Sequence, residues 1–375
     1  MELFNVYPLY DVTPVSARGI IVTDDQGEEY MDLYGGHAVI SIGHSHPHYV
    51  KRLGQQLEKI GFYSNSVNNP LQTELATKLG QLCSCEDYHL FLCNSGAEAN
   101  ENALKLASFH TGKSRVIAFS NSFHGRTSAA VAVTDNPKIN APINKQQKVT
   151  FLQLNDSDAF RAEIARGDVC AVIIEAIQGV GGLDEPSAGF FQEIAGQCRE
   201  HGVVLIADEV QCGFGRTGKF FAFQHHGIKP DIISMAKGMG NGFPVGGVLI
   251  HKHIKASYGL LGTTFGGNHL ACAATLAVLE VMEDEGLMEN ALKTGRYFKQ
   301  KAETIPRVKR VKGRGLMLGL EFDFEVADLR KQLIYNQRIF TGGAKDKYVL
   351  RILPALNINE ESMDIFFKAL KAELA

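Results

Sequence analysis

Two apolar runs of the chain end in residues whose types point to chemistry. In Leu205-Ile-Ala-Asp208-Glu209-Val210-Gln211 a carboxylate closes a run suited to a buried strand, and in Asp231-Ile-Ile-Ser-Met235-Ala236-Lys237-Gly238 a lysine follows another. An Asp held away from water needs a cationic partner. One candidate is a protonated pyridine nitrogen. At about 3–4 Å and an effective dielectric near 20 its attraction is roughly 4 kcal/mol, enough to keep such a ring protonated as an electron sink. An ordinary Asp–Arg pair is the other candidate. Lys237, set between alanine and glycine, is partly enclosed if its strand is buried, which lowers its pKa and frees a neutral amine for Schiff-base chemistry. The alternative is a lysine that solvates a turn.

Three further stretches bear on the same end of a sheet. Phe91-Leu-Cys-Asn-Ser95-Gly96-Ala97-Glu98 reads as strand, turn and helix start. Ser95 and Glu98 have capping-box spacing, and the free amides beside Gly96 suit a phosphate, although capping alone explains the pattern. Asn121-Ser-Phe123-His124-Gly125-Arg126-Thr127 follows another strand. There Phe123 is placed to cover a flat ring and Arg126 to take a carboxylate, against the plainer readings of core filler and surface charge. Gly213-Phe-Gly-Arg-Thr-Gly218-Lys219 matches seven positions of a P-loop, which would make the protein a nucleotide hydrolase. Phe220 stands where Ser or Thr must bind the metal, and the acidic strand precedes the loop instead of following it. Gly238-Met-Gly240-Asn-Gly242 precedes a strand and does not open a helix.

The elements that must position these groups follow from periodicity. Short β-branched runs at His89–Cys93, Arg115–Phe119, Cys170–Glu175, Val203–Ala207, Asp231–Met235 and Gly247–Ile250 alternate with helical stretches, the pattern of an α/β protein with a mostly parallel sheet. Ala188–His201 predicts a helix with Phe191, Ile194, Ala195 and Cys198 at helical spacing and Gly202 beyond its end. Past Asn268 a helical stretch runs toward Glu285. Strand-like runs at Leu316–Phe322 and Tyr348–Leu353 follow, then a last helix with Met363, Phe366, Phe367 and Leu370 on one side. Two domains are expected from 375 residues. They are a large domain over 46–270 and a smaller α+β domain over 271–375, with residues 1–45 packing on the latter.

A net charge of −3 supplies no basic field for nucleic acid or membrane. The amino terminus lacks a basic-then-apolar leader and no apolar run is long enough to span a bilayer, so the expected compartment is the cytoplasm. Seven cysteines, an odd and scattered set, predict reduced thiols. Cys83-Ser-Cys85 has no second pair at zinc-site spacing, the histidines at 37, 44, 46 and 48 read as a loop, and no metal is expected.

Taken together, SGAEAN at 95–100, FHGRT at 123–127, IADEVQ at 206–211, AKG at 236–238 and TTFGGN at 263–268 resemble the class III pyridoxal-phosphate-dependent aminotransferases. The similarity runs from residue 33 to residue 358 and is greatest to the acetylornithine and succinylornithine aminotransferases. It implies a fold-type-I α/β transferase acting as a homodimer with shared active sites. It implies that Lys237 holds pyridoxal 5'-phosphate, that Asp208 pairs with its ring nitrogen, and that Phe123 and Val210 enclose the ring. Gln211 would bond the ring hydroxyl, Glu209 would belong to the same cofactor stretch, and Ser95, Gly96 and Ala97 would hold the phosphate with Thr264 of the second subunit. Arg126 and Thr263 would meet an N-acylated ornithine, and Arg351 the α-carboxylate of glutamate or 2-oxoglutarate. The implied setting is arginine biosynthesis. Ornithine, 4-aminobutyrate or another ω-amine stays open as substrate, as does a non-catalytic protein that keeps the fold.

The chain departs from that pattern at two positions, with Ala176 where the family usually has proline and Val180 where it usually has the glutamate that neutralises the arginine at the place of Arg351. An arginine left without that partner would favour substrates with a second carboxylate, N-succinylornithine among them. His37 also stands where an aliphatic residue is more usual.

Overall fold

The computed structural model describes all residues from 1 to 375. The chain opens with three short antiparallel strands, β1 (Pro14–Arg18), β2 (Ile21–Asp24) and β3 (Glu29–Asp32). The seven-stranded sheet follows: β4 (Tyr88–Cys93), β5 (Arg115–Phe119), β6 (Val149–Leu152), β7 (Val169–Glu175), β8 (Val204–Asp208), β9 (Ile232–Met235) and β10 (Gly246–His251). Their spatial order is β4-β10-β9-β8-β7-β5-β6. β5 to β9 are mutually parallel, and β10 runs antiparallel to both β9 and β4. Six strands therefore end at one edge, where Glu175 lies opposite Asp208 and Asp208 opposite Ser234. In open parallel sheets this carboxyl edge is where ligands bind.

The middle strands β7, β8 and β9 are buried at every position, as expected of parallel strands covered on both faces. Alternate side chains divide between two apolar clusters. Ile173, Val204, Ile206 and Ile232 meet Ala103, Leu104 and Ala107 of the Gly96–Thr111 helix, while Val172, Ile174, Leu205 and Ile233 join the larger core. The predicted helix at Ala188–His201 forms, capped by Ser187 and ended by Gly202 at φ 62°. The helix after Asn268 spans His269–Asp284, and the last helix, Glu360–Leu374, buries Met363, Phe366, Phe367 and Leu370.

A second sheet past the core comprises β11 (Arg310–Arg314), β12 (Met317–Glu321), β14 (Gly342–Gly343) and β15 (Val349–Ile352), while β13 (Ile339–Phe340) leaves it to pair in parallel with β3. β8 begins one residue later than expected, so Asp208 is itself the last residue of the strand. All seven cysteines are unpaired and buried. His44, His46 and His48 each face a carboxylate, of Asp32, Glu285 and Glu280. No helix is long and apolar enough to cross a membrane.

Candidate active site

Asp208 is only 3% exposed. Its Oδ2 accepts from Asn100 Nδ2 and from His124 Nδ1, each at 2.7 Å, and its Oδ1 accepts from the Val210 amide at 3.0 Å. No Arg or Lys pairs with it, so the ordinary Asp–Arg reading is set aside; the ring that meets its Oδ2 is an imidazole. The network therefore places the His124 proton on Nδ1. On the far side, His124 Nε2 and Asn100 Oδ1 are buried without partners. Burying a carboxylate with polar atoms left unsatisfied beside it is costly, which marks the place as one for a polar ligand.

Lys237 follows β9 after a single residue, Ala236, in a left-handed conformation at φ 50°. Burial holds its ammonium below the ordinary lysine value; Asp208 and Glu175 pull the other way and Arg351 reinforces the burial. Lys237, Asp208, Phe123 and Val210 line a cavity of about 250 Å³, closed at one end by Gly96 and Ala97 and flanked by Arg126. Ser95 caps the helix, its Oγ accepting from the Glu98 amide at 3.2 Å. Glu98 reaches back to the Asn94 amide at 2.9 Å, one residue earlier than an ordinary capping box. The amides of Gly96 and Ala97, in the first turn, have no intrahelical acceptor. At Gly96 a Cβ would fall 2.5 Å from Val210 Cγ1, so only glycine lets the amide cradle and Val210 pack together.

Arg351 projects from β15 and is 4% exposed. It donates to the Gly343 carbonyl at 2.6 Å, the Gly179 carbonyl at 2.7 Å, Gln211 Oε1 at 3.4 Å and Tyr34 Oη at 3.3 Å. All four acceptors are neutral. Burial lowers its pKa from the ordinary arginine value.

Within the single chain, several expected residues stand apart from the Lys237 cavity. Glu209 turns away from the cavity: its two oxygens accept from the Ala222 and Phe223 amides, both at 2.8 Å, and burial raises its pKa to about 7. It fixes the start of a short 3-10 turn at Ala222–His226, and its carboxylate is not free for a ligand. Gln211 donates to the His37 carbonyl at 3.1 Å and does not line the cavity with Lys237. Thr263 Oγ1 accepts from Asn94 Nδ2 at 3.3 Å, behind the Ser95 turn, and Thr264 is exposed. The glycine-rich Gly213–Lys219 stretch opens no helix. It folds on itself, with Phe214 packed on Phe220 and Arg216 buried against the Leu316 and Pro354 carbonyls, which removes the P-loop reading.

Other participants were not singled out from sequence. Asn100 is the last residue of SGAEAN, four positions after Gly96, and a polar residue at a buried helix position was the available signal. Glu175 Oε1 accepts from the Phe123 amide at 3.0 Å and Oε2 from the Gly179 amide at 2.9 Å. Burial, with Asp208 opposing its charge, raises its pKa to about 7. Tyr34 reaches Arg351 from the amino-terminal segment, a long-range contact that leaves no local trace.

The family model for class-III aminotransferases matches residues 5–374. The chain belongs to that family. The acetylornithine aminotransferase of Bacillus subtilis strain 168 is 40% identical over 381 residues, covering 100% of this chain and 98% of its own. That of Aquifex aeolicus is 40% identical, covering 96% of each. Among solved structures, the ornithine aminotransferase of Toxoplasma gondii superposes with a TM-score of 0.92 at 27% identity, over 99% of this chain and 92% of that one. An S-selective transaminase from Arthrobacter sp. gives 0.91 at 25% identity, over 100% and 95%. The protein is thus a PLP-dependent aminotransferase of fold type I. Its cavity fits pyridoxal phosphate: a lysine of lowered basicity, a buried carboxylate ringed by neutral donors, two apolar side chains and a helix start with free amides stand around one space.

Proposed function

We propose that this aminotransferase moves the terminal amino group of N-acetylornithine to 2-oxoglutarate, giving the semialdehyde and glutamate, as a step of arginine biosynthesis. The observation that carries the reading is the pair of arginines about Lys237, Arg126 exposed at the cavity and Arg351 buried beyond it. Two carboxylate anchors suit two substrates that each bring a carboxylate. The acetylornithine aminotransferases at about 40% identity over the full length support the acyl donor.

In this reading Asp208 would face the ring nitrogen, Phe123 and Val210 would cover the ring, and the Ser95 turn would hold the phosphate. Pyridoxal phosphate, when bound, supplies a carbonyl for the substrate amine and a ring that draws electrons from the adjacent carbon. Lys237 holds it between turnovers. Its neutral Nζ would be the base that takes the proton from the amine-bearing carbon of the substrate and would give that proton up again within the same half-reaction, the second half-reaction using the same group in reverse. Burial favours its neutral form, which this step requires. Arg126 binds the α-carboxylate of the acylornithine, so that the far amine reaches Lys237. Arg351 binds 2-oxoglutarate.

Val180 offers no carboxylate to Arg351, and this favours N-succinylornithine as a second donor, whose succinyl carboxylate can occupy the guanidinium; a charge-assisted contact of that kind is worth about 1.5–3 kcal/mol. The enzyme is read as a cytoplasmic homodimer that shares its sites, with Thr264 and Thr263 acting at the other subunit's cavity edge. Phe62, Tyr63, Val67 and Phe265, all exposed on one chain, support a covered face there. The division into 1–45, 46–270 and 271–375 completes the proposal. A panel of amino donors with 2-oxoglutarate as acceptor tests it. N-acetylornithine should give the highest or second highest kcat/KM, with N-succinylornithine its rival, and Lys237→Ala should give no turnover. Plain ornithine or 4-aminobutyrate ahead of both would overturn the substrate assignment.

A further inference from the structure

One hydrogen-bonded chain beside Arg351 has a direction fixed by chemistry. A guanidinium only donates, so Tyr34 Oη accepts from Arg351 at 3.3 Å. The phenol has one hydrogen of its own, and it goes to His37 Nδ1 at 2.5 Å. His37 Nδ1 is therefore the acceptor nitrogen, and the imidazole proton resides on Nε2. Partial desolvation by its neighbours and the charges of Arg351 and Lys237, with those of Arg330 and Arg126, lower the pKa of the ring and favour its neutral form. His37 is exposed and its Nε2 makes no hydrogen bond within the protein, so its Nε2–H is a free donor on a ring that feels four cations.

The backbone beneath it is unusual. Gly35, Gly36, His37 and Ala38 run at φ 56°, 54°, 69° and 62°. Four left-handed residues in succession, two of them not glycine, carry strain that persists only where neighbours enforce it. Here Asp32 Oδ1 accepts from the Tyr34 and Gly35 amides at 2.9 and 2.8 Å, and Gln211 holds the His37 carbonyl at 3.1 Å. Gln211 also accepts from Arg351, so the turn and the guanidinium share two intermediaries, Tyr34 on one side and Gln211 on the other.

The geometry points to a carboxylate subsite in which the Nε2–H of His37 acts with Arg351 to bind the carboxylate of a dicarboxylic substrate or of an acidic acyl group. Val180 leaves this subsite without an internal anion, so Arg351 need not be released from a protein carboxylate before ligand arrives. His37 is then a specificity-determining residue that touches substrate, and Tyr34 positions it by fixing its tautomer. The inference rests on the reading that carboxylate-bearing substrates come to Arg351, and it adds the side chain that selects them.

The test uses holoenzyme and two probes, glutarate and n-butylamine, followed by the cofactor absorbance. Asn tolerates left-handed backbone as His does but is too short to reach the ligand. His37→Asn should weaken glutarate about tenfold or more and leave n-butylamine within about twofold. It should also raise KM for 2-oxoglutarate by a larger factor than it lowers kcat. His37→Gln, with an amide donor at similar reach, should recover glutarate binding to within about threefold of wild type. Tyr34→Phe frees the tautomer and should cause a smaller loss than His37→Asn. Unchanged glutarate binding in His37→Asn, or an equal loss for both probes, overturns the subsite. Should the wild-type enzyme reject every acylornithine while the glutarate pattern holds, the substrate reading fails and the subsite stands.

Discussion

At the scale of single residues, Asp208 shows how a buried charge is kept without a permanent cation. Asn100, His124 and the Val210 amide supply three donors, and the ring nitrogen proposed above would be the fourth. Asp208→Asn should keep the fold, because the site already consists of neutral amides and an imidazole. It should nonetheless lower kcat by about a hundredfold or more, since general acid–base steps and the ring's electron withdrawal both depend on that charge; single-turnover kinetics would measure it. Glu175 and Glu209 carry a different signature. Both have folded-state pKa values near 7, raised from 4.5 mainly by burial. A raised carboxyl pKa means the folded state binds the proton more tightly than the unfolded one. Its stabilising contribution is complete below pH 4.5 and is lost as pH rises through about 7. Thermal unfolding of the cofactor-free protein should therefore show this component declining from about pH 5 to about pH 8, and Glu209→Gln should flatten the slope while costing about 1 kcal/mol for the amide contact it spoils.

At the scale of elements, the site is assembled where strands stop. β4 delivers Ser95, β5 the Phe123 loop, β7 Glu175, β8 Asp208 and β9 Lys237, and one edge receives them all because these strands share a direction. Glycines set how closely the delivering turns approach. A Cβ on Gly179 would lie 1.8 Å from Gln211 Oε1, so Gly179→Ala should dislodge Gln211 and with it a partner of Arg351, raising KM for 2-oxoglutarate about tenfold in steady-state assays. Gly96→Ala should instead weaken cofactor binding by about tenfold, seen by titrating pyridoxal phosphate into apoprotein, because Val210 must move. Much of this edge was legible beforehand. The buried strands announced themselves as unbroken β-branched runs, and Asp208, Lys237 and Ser95 each sat just where such a run ended. β1 and β6 were not legible: Pro14–Arg18 is almost wholly exposed, and Val149–Leu152 is a four-residue edge strand. Asn100, Glu175 and Tyr34 were silent for another reason, since their roles arise from partners 108, 52 and 317 positions away. Glu209 was grouped with Asp208 by adjacency alone, but it lies one residue past the strand and its carboxylate is taken up by the Ala222 and Phe223 amides.

At the scale of the whole molecule, the first and last parts of the chain meet: β13 pairs with β3, and Tyr34 lies against Arg351 of β15. The proposed carboxylate subsite thus draws on both ends, while Lys237 and Asp208 belong to the middle. The apolar residues left on one face, among them the Phe62–Phe265 pair with ring centroids 5.3 Å apart, fit the proposed dimer. Sedimentation should give twice the chain mass, and Phe265→Glu should shift it toward the single chain with loss of activity. The burial of all seven thiols has a practical consequence. In the native protein a thiol-labelling reagent should find nothing to react with, so every modified cysteine dates an opening event. Because Cys93 adjoins the Ser95 turn, Cys212 follows the Asp208 strand and Cys272 sits in the long helix past the core, the order in which they become labelled would map which part of the enzyme loosens first, and whether bound cofactor delays it.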